Sequence, residues 1–176
     1  MLVLISGPIA SGKSTLARRV AKDLAGLDVP SAVIDLDVVH DMLVPAASRT
    51  RAEDLWPVAR RAVAALAASF EADGVAAVIV DGSYPDQADH EALLSSLPAQ
   101  TGSFLVSLRV SYGEALRRAQ SDPTRGVSRD PAFLSSYYEA RRATADTSAD
   151  LVIDTEAVSE EAAASSIVAA LIDRVS

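Results

Sequence analysis

Leu2-Val3-Leu4-Ile5-Ser6-Gly7-Pro8-Ile9-Ala10-Ser11-Gly12-Lys13-Ser14 is the stretch from which the rest of the chain is read. Leu2 to Ser6 is an apolar run of strand length that enters a glycine loop, Gly7 to Gly12. From Lys13 a helical pattern follows, with Leu16, Val20 and Leu24 recurring at i, i+4. Gly7 to Ser14 fits G-x-x-x-x-G-K-S/T at every fixed position, between a strand and a helix as the pattern requires. Glycines let the main chain wrap a polyphosphate and turn its N–H groups inward, and the helix N-terminus adds partial positive charge. Gly7, Ala10, Ser11 and Gly12 are therefore predicted to line a phosphate cradle, with Thr15 at the α-phosphate. Lys13 is predicted to reach the β- and γ-phosphates and Ser14 to ligate Mg2+. No Asn-Lys-x-Asp guanine motif follows, and no lysine occurs beyond Lys22, so ATP is the expected nucleotide.

Beyond this stretch, strands and helices alternate. Strands are predicted at Ala32 to Ile34 (ending at Asp35), Val75 to Val80 (ended by Asp81-Gly82), Ser103 to Val110 and Leu151 to Ile153. Helices are predicted over Asp37 to Leu43, Ala52 to Ala72, Asp86 to Ser96, Tyr112 to Gln120, Pro131 to about Ala143, and Glu156 to Arg174. Ser121 to Asp130, with Pro123 and Gly126, reads as a loop. The alternation implies an α/β/α sandwich in one domain over residues 1–176, around a five-stranded parallel sheet.

Composition narrows the function. The chain has 176 residues, 49% of them hydrophobic, and carries a net charge of -8, which argues against nucleic acid or a membrane surface as partner. Cysteine is absent and only His40 and His90 are histidines, so thiolate and histidine-built metal sites are not expected. No apolar run is long enough to span a bilayer, and a cytoplasmic location is the expectation.

With the phosphate loop, the element order and the acidic pairs in view, the chain resembles the adenylate-kinase-like small P-loop kinases, in particular shikimate and gluconate kinases and chloramphenicol phosphotransferase-like proteins. Asp35-Leu36-Asp37 matches their D-x-D after the second strand, and Asp37-Val38-Val39-His40 matches the gluconate type. The resemblance implies that Asp37 accepts the acceptor's proton, with Asp35 supporting it or capping the short helix. Asp81 resembles the aspartate that holds Mg2+ through water, unless it only serves an Asp-Gly turn, and Gly82 would let an acceptor approach. Shikimate kinases carry a glycine run where this chain has Asp81-Gly82-Ser83-Tyr84, and the gluconate match is partial, so neither substrate is carried over.

The same resemblance implies an arginine-rich lid at about 121–130. Arg125 and Arg129 would act on the transferred phosphate, and one of Arg117 and Arg118, with Arg117 preferred, on the nucleotide. Trp56, with Arg60 and Arg61, is read either as core or as the wall of a sugar or anionic pocket, and His40 as a helix-surface residue or a substrate contact. Tyr137 and Tyr138 are read as helix packing, one facing in and one out. The expected function is phosphoryl transfer from MgATP to the hydroxyl of a small molecule. The alternatives are an antibiotic-modifying phosphotransferase, a nucleoside or nucleotide kinase, and a non-catalytic ATP-binding switch.

Overall fold

The computed structural model describes residues 1–43, 55–84, 87–98, 101–142 and 149–175. Five strands form one parallel sheet: β1 (Leu2–Ser6), β2 (Ser31–Asp35), β3 (Ala77–Gly82), β4 (Ser103–Arg109) and β5 (Leu151–Asp154), in the order β2-β3-β1-β4-β5. The helices are α1 (Lys13–Ala25), α2 (Leu36–Asp41), α3 (Trp56–Ala72), α4 (Gln87–Ser95), α5 (Tyr112–Ser121), α6 (Pro131–Arg142) and α7 (Glu160–Val175). A single 3-10 turn, Val127–Arg129, precedes α6.

Residues alternate faces along β1, and each face has its own core. Val3 and Ile5 pack with Leu16 and Val20 of α1 and Ile167 and Leu171 of α7. Leu2 and Leu4 pack with Leu36 of α2, Val63 of α3 and Leu93 of α4. A smaller third cluster joins Ala115 and Ala119 of α5 and Leu134 of α6 to Ala10 in the loop after β1.

Several boundaries differ from the sequence reading. β3 runs through Asp81-Gly82, because both residues stay in register with Ile5 and Ser6 of β1. α2 starts at Leu36 because Asp35 caps it. α7 starts at Glu160 and not Glu156: the Asp154 side chain accepts from the Glu156 N–H, and Ser159 Oγ accepts from the Ala162 N–H, capping a helix that begins one turn later. The expected starts at Ala52 and Asp86 and the expected end at Ala143 lie outside the described residues.

The sheet order positions the site. Register brings Gly82 opposite Ser6, and Asp81 opposite Asp35, at the carboxyl edge of three neighbouring strands. Ligands of open α/β sheets bind at this edge.

Candidate active site

The loop between β1 and α1 is shaped by its backbone. Ala10 and Gly12 adopt left-handed conformations, with φ of 63° and 91°. A Cβ on Gly7 would stand 2.9 Å from Leu108 Cβ and 2.8 Å from Ser11 Oγ, so β4 leaves no room there for a side chain. Four loop carbonyls have side-chain donors: Gly7 and Pro8 accept from Lys13 Nζ at 3.1 Å, Ile9 from Tyr138 Oη at 2.9 Å, and Ala10 from Arg118 Nη1 at 3.4 Å. Buried Ser11 Oγ has no partner among the described residues.

Two cavities meet at this loop. The larger, about 1080 Å3, is lined by Lys13, Ser14 and Thr15, by Asp37 and His40 of α2, by Trp56 and Arg60 of α3, by Arg125, and by Tyr137 and Arg141 of α6. The smaller, about 240 Å3, lies on the other side of Gly12 and Thr15 and is lined by Ser11, Arg118, Thr155 and the start of α7.

Charges lining the large cavity, and the buried Asp81 near it, are opposed. Burial lowers the Lys13 ammonium below its usual range, while Asp37 and Asp81 pull it back up. Loss of solvent raises the Asp37 carboxyl, and Lys13 counters it. Burial lifts Asp81 to about 6, reinforced by the charge of Asp35 and opposed by a hydrogen bond from Ser14 and by Lys13. Ser14 and Asp81 together offer one hydroxyl and one carboxylate oxygen. That oxygen-only pair suits Mg2+, which takes few protein ligands and keeps its waters and phosphates. Among the described residues, no group of three or more His, Cys, Asp or Glu could form a dedicated metal cage.

The D-x-D pair divides into two roles. Asp35 Oδ1 accepts from the N–H groups of Asp37 and Val38 at 2.9 and 3.3 Å, capping α2, whereas Asp37 opens into the cavity. Gly82 is buried, and a Cβ there would stand 2.7 Å from Leu36 Cβ. Its glycine accommodates α2, and it lines neither cavity.

The arginines divide too. Arg125 lines the cavity, its Nε held by Asp122 at 3.2 Å. Arg129 is exposed on the 3-10 turn and lines neither cavity. Arg117 is exposed and paired with Glu114, away from both cavities. Arg118, one residue on, faces the loop and Thr155, to which it donates from Nη1 at 2.9 Å and Nη2 at 2.8 Å.

Sequence reading missed Arg141, took Tyr137 and Tyr138 for packing alone, and left His40 and Trp56 between two alternatives. Arg141 lines the cavity and donates to Ser83 Oγ at 3.3 Å. His40 and Trp56 stack with ring centroids 3.9 Å apart on the cavity wall. Tyr137 and Tyr138 are both half-buried: Tyr137 lines the cavity, and Tyr138 reaches the loop. The Trp56–Arg60 spacing of four was a signal for one helical face. Nothing local announced Arg141 or Tyr138.

Fold and loop define a P-loop nucleotide-binding protein of the small kinase-like type. The chain belongs to the AAA domain family AAA_33, whose model matches residues 2–131. Similar solved structures include a gluconokinase from Sinorhizobium meliloti 1021, at 18% identity and TM-score 0.64, covering 98% of this chain and 92% of that one. The APS kinase of Mycobacterium tuberculosis, solved in complex with AMPPNP and APS, aligns at 20% identity and TM-score 0.66, covering 98% and 96%. The tunicamycin resistance protein of Deinococcus radiodurans aligns at 23% identity and TM-score 0.61, covering 97% and 94%. At these identities the likeness is one of fold. Among curated proteins none matches the sequence. No helix among the described residues is long and apolar enough to cross a membrane.

Proposed function

We propose that the protein is an ATP-dependent kinase that phosphorylates a hydroxyl of a small acceptor carrying an anionic group. One observation carries the reading: Lys13, Asp37 and three arginines, Arg60, Arg125 and Arg141, line one continuous cavity. The triphosphate lies in the loop, with the nucleoside towards the smaller cavity beside Arg118 and Thr155. The acceptor occupies the half bounded by α2, α3 and α6.

In the reaction, the acceptor oxygen attacks the γ-phosphorus and gives its proton to the Asp37 carboxylate. A new P–O bond forms as the bond to the β-phosphate oxygen breaks, and ADP leaves. Lys13 and Arg125 stabilise charge on the transferred group. Mg2+, held by Ser14 and through water by Asp81, would neutralise phosphate charge. Arg60 makes the case for an anionic acceptor. Its Nη1 is committed to Asp89 at 2.6 Å, and its side chain borders the cavity together with Arg125 and Arg141. A planar guanidinium held on one edge suits a carboxylate, phosphate or sulfate on the other.

The test is a mass-spectrometric screen with MgATP and pooled hydroxy acids, sugar phosphates, nucleotides, neutral sugars and hydroxylated antibiotics, with Lys13→Ala as control. The expected result is a phosphorylated anionic compound, absent with the control. Phosphorylation confined to neutral compounds would remove the anionic part of the reading. ATP binding with no product from any pool would turn it towards a nucleotide-binding switch.

A further inference from the structure

The top of the phosphate loop is a tight turn in an unfavourable form. The Ser11 N–H donates to the Pro8 carbonyl at 3.2 Å, which makes Ile9 and Ala10 the central residues of a four-residue turn. Ala10 has φ 63°, and Ile9 is not among the positive-φ residues. That combination is a type II turn, whose third position favours glycine. The left-handed region disfavours any residue with a Cβ. A type I turn would relieve Ala10, and the two types differ by a flip of the central peptide, which carries the Ile9 carbonyl and the Ala10 N–H.

The flip would matter to an anion. It would exchange the faces of that N–H and that carbonyl, putting an oxygen where a phosphate needs a donor. One side chain outside both cavities holds the Ile9 carbonyl: Tyr138 of α6, at 2.9 Å. Its ring is fixed by edge contacts with Tyr112 and Tyr137, at centroid distances of 5.9 and 5.8 Å.

We infer that Tyr138 is a positioning residue of the phosphate loop, whose hydroxyl holds the Ile9–Ala10 peptide in the type II orientation that turns N–H and not C=O towards the nucleotide's phosphates. Arg118 supports the next carbonyl, but it also lines the smaller cavity, so Tyr138 is the cleaner probe. The inference rests on the nucleotide half of the proposed function and needs no acceptor.

The experiment compares ADP, ATP and adenosine affinities of the full chain, by calorimetry for the nucleotides and ligand-observed NMR for adenosine. Tyr138→Phe removes the hydroxyl and keeps the ring. It is expected to weaken ADP and ATP roughly three- to tenfold, the range of one neutral hydrogen bond, and to leave adenosine unchanged. Ala10→Gly added to Tyr138→Phe is expected to recover much of the loss, because glycine accepts the left-handed conformation freely. Tyr112→Phe removes a hydroxyl that donates to Pro131 O in the same aromatic cluster, and is expected to bind nucleotide like the wild type. Equal ATP affinity in Tyr138→Phe and wild type would overturn the inference, as would a parallel loss for adenosine or for Tyr112→Phe. A wild-type chain that binds neither ADP nor ATP would overturn the phosphate-loop reading itself. Nucleotide binding without phosphorylation of any acceptor bears only on the kinase reading.

Discussion

The two halves of the large cavity are built in opposite ways. The half proposed for the nucleotide is contiguous: Gly7 to Thr15 supplies it, and much of what it offers is main chain. The half proposed for the acceptor is assembled from Asp37 and His40 on α2, Trp56 and Arg60 on α3, Ser83 after β3, and Tyr137 and Arg141 on α6. A contiguous loop constrains its residues by spacing, so it survives as a pattern. A wall drawn from four segments constrains only positions in space, and each residue can change type with the acceptor. The difference implies that nucleotide contacts and acceptor contacts can be damaged separately.

Arg125 should give the largest effect, because it lines the same cavity as Lys13 and, on the proposed reading, acts on the transferred group. Arg125→Ala is expected to lower turnover by about three to five orders of magnitude, the range for an arginine acting on a transferring phosphoryl group, while ATP affinity changes little. Steady-state kinetics on the acceptor found by the screen, with ATP binding measured in parallel, checks this. Turnover equal to the wild type would remove Arg125 from the chemistry and leave it in its ion pair with Asp122.

Asp37 comes next. Asp37→Asn keeps the shape and removes the proton acceptor, so kcat should fall by about a hundredfold to ten-thousandfold. Asp35→Asn should cost far less, since an asparagine oxygen can still cap α2. Equal losses in the two variants would collapse the division of the D-x-D pair into a cap and a base.

What was legible in the sequence follows the same divide. Sheet, helices and phosphate loop were readable because periodicity and glycine spacing are local signals. D-x-D showed that carboxylates gather at the edge of β2, but not that Asp35 would turn back onto its own helix, which depends on backbone angles. Arg117 and Arg118 are neighbours in sequence and both bond Glu114, yet helical geometry leaves Arg117 in solvent and turns Arg118 to the Ala10 carbonyl and Thr155. Gly82 looked like an opening and is a packing contact, since only the crossing of α2 over β3 reveals Leu36 above it. Tyr138 lies 129 residues from Ile9 and Arg141 58 from Ser83, the partners to which they donate, and single-sequence reading carries no signal at that range.

Arg60 sharpens the contrast from the acceptor side. Arg60→Met keeps the stem and removes the fork, so the acceptor's KM should rise about ten- to a hundredfold, the worth of a hydrogen bond to a charged group, with ATP's KM unchanged. The same variant should narrow the preference for anionic over neutral acceptors, which competition between paired substrates measures. A matching rise in both KM values would show that Arg60 supports the whole cavity and does not read the acceptor's charge.

Asp81, buried near the end of β3, tests the proposed metal assignment through stability. Its carboxyl is raised from an ordinary 3.8 to about 6, so in chelator the folded chain keeps a proton that the unfolded chain has released. Folding stability should therefore fall as pH rises between those values, by about 3 kcal/mol for a shift of this size. Asp81→Asn cannot ionise, and it should flatten that dependence and stabilise the apo protein at pH 7 by about 2–3 kcal/mol, read as a higher midpoint in urea. The same variant should bind Mg2+ with ADP more weakly, because the carboxylate that burdens the empty fold is the one that would meet the ion's waters. Destabilisation by Asp81→Asn at pH 7 would mean that the Ser14–Asp81 hydrogen bond outweighs the burial of charge, and the aspartate would then belong to the architecture of β3 more than to the metal.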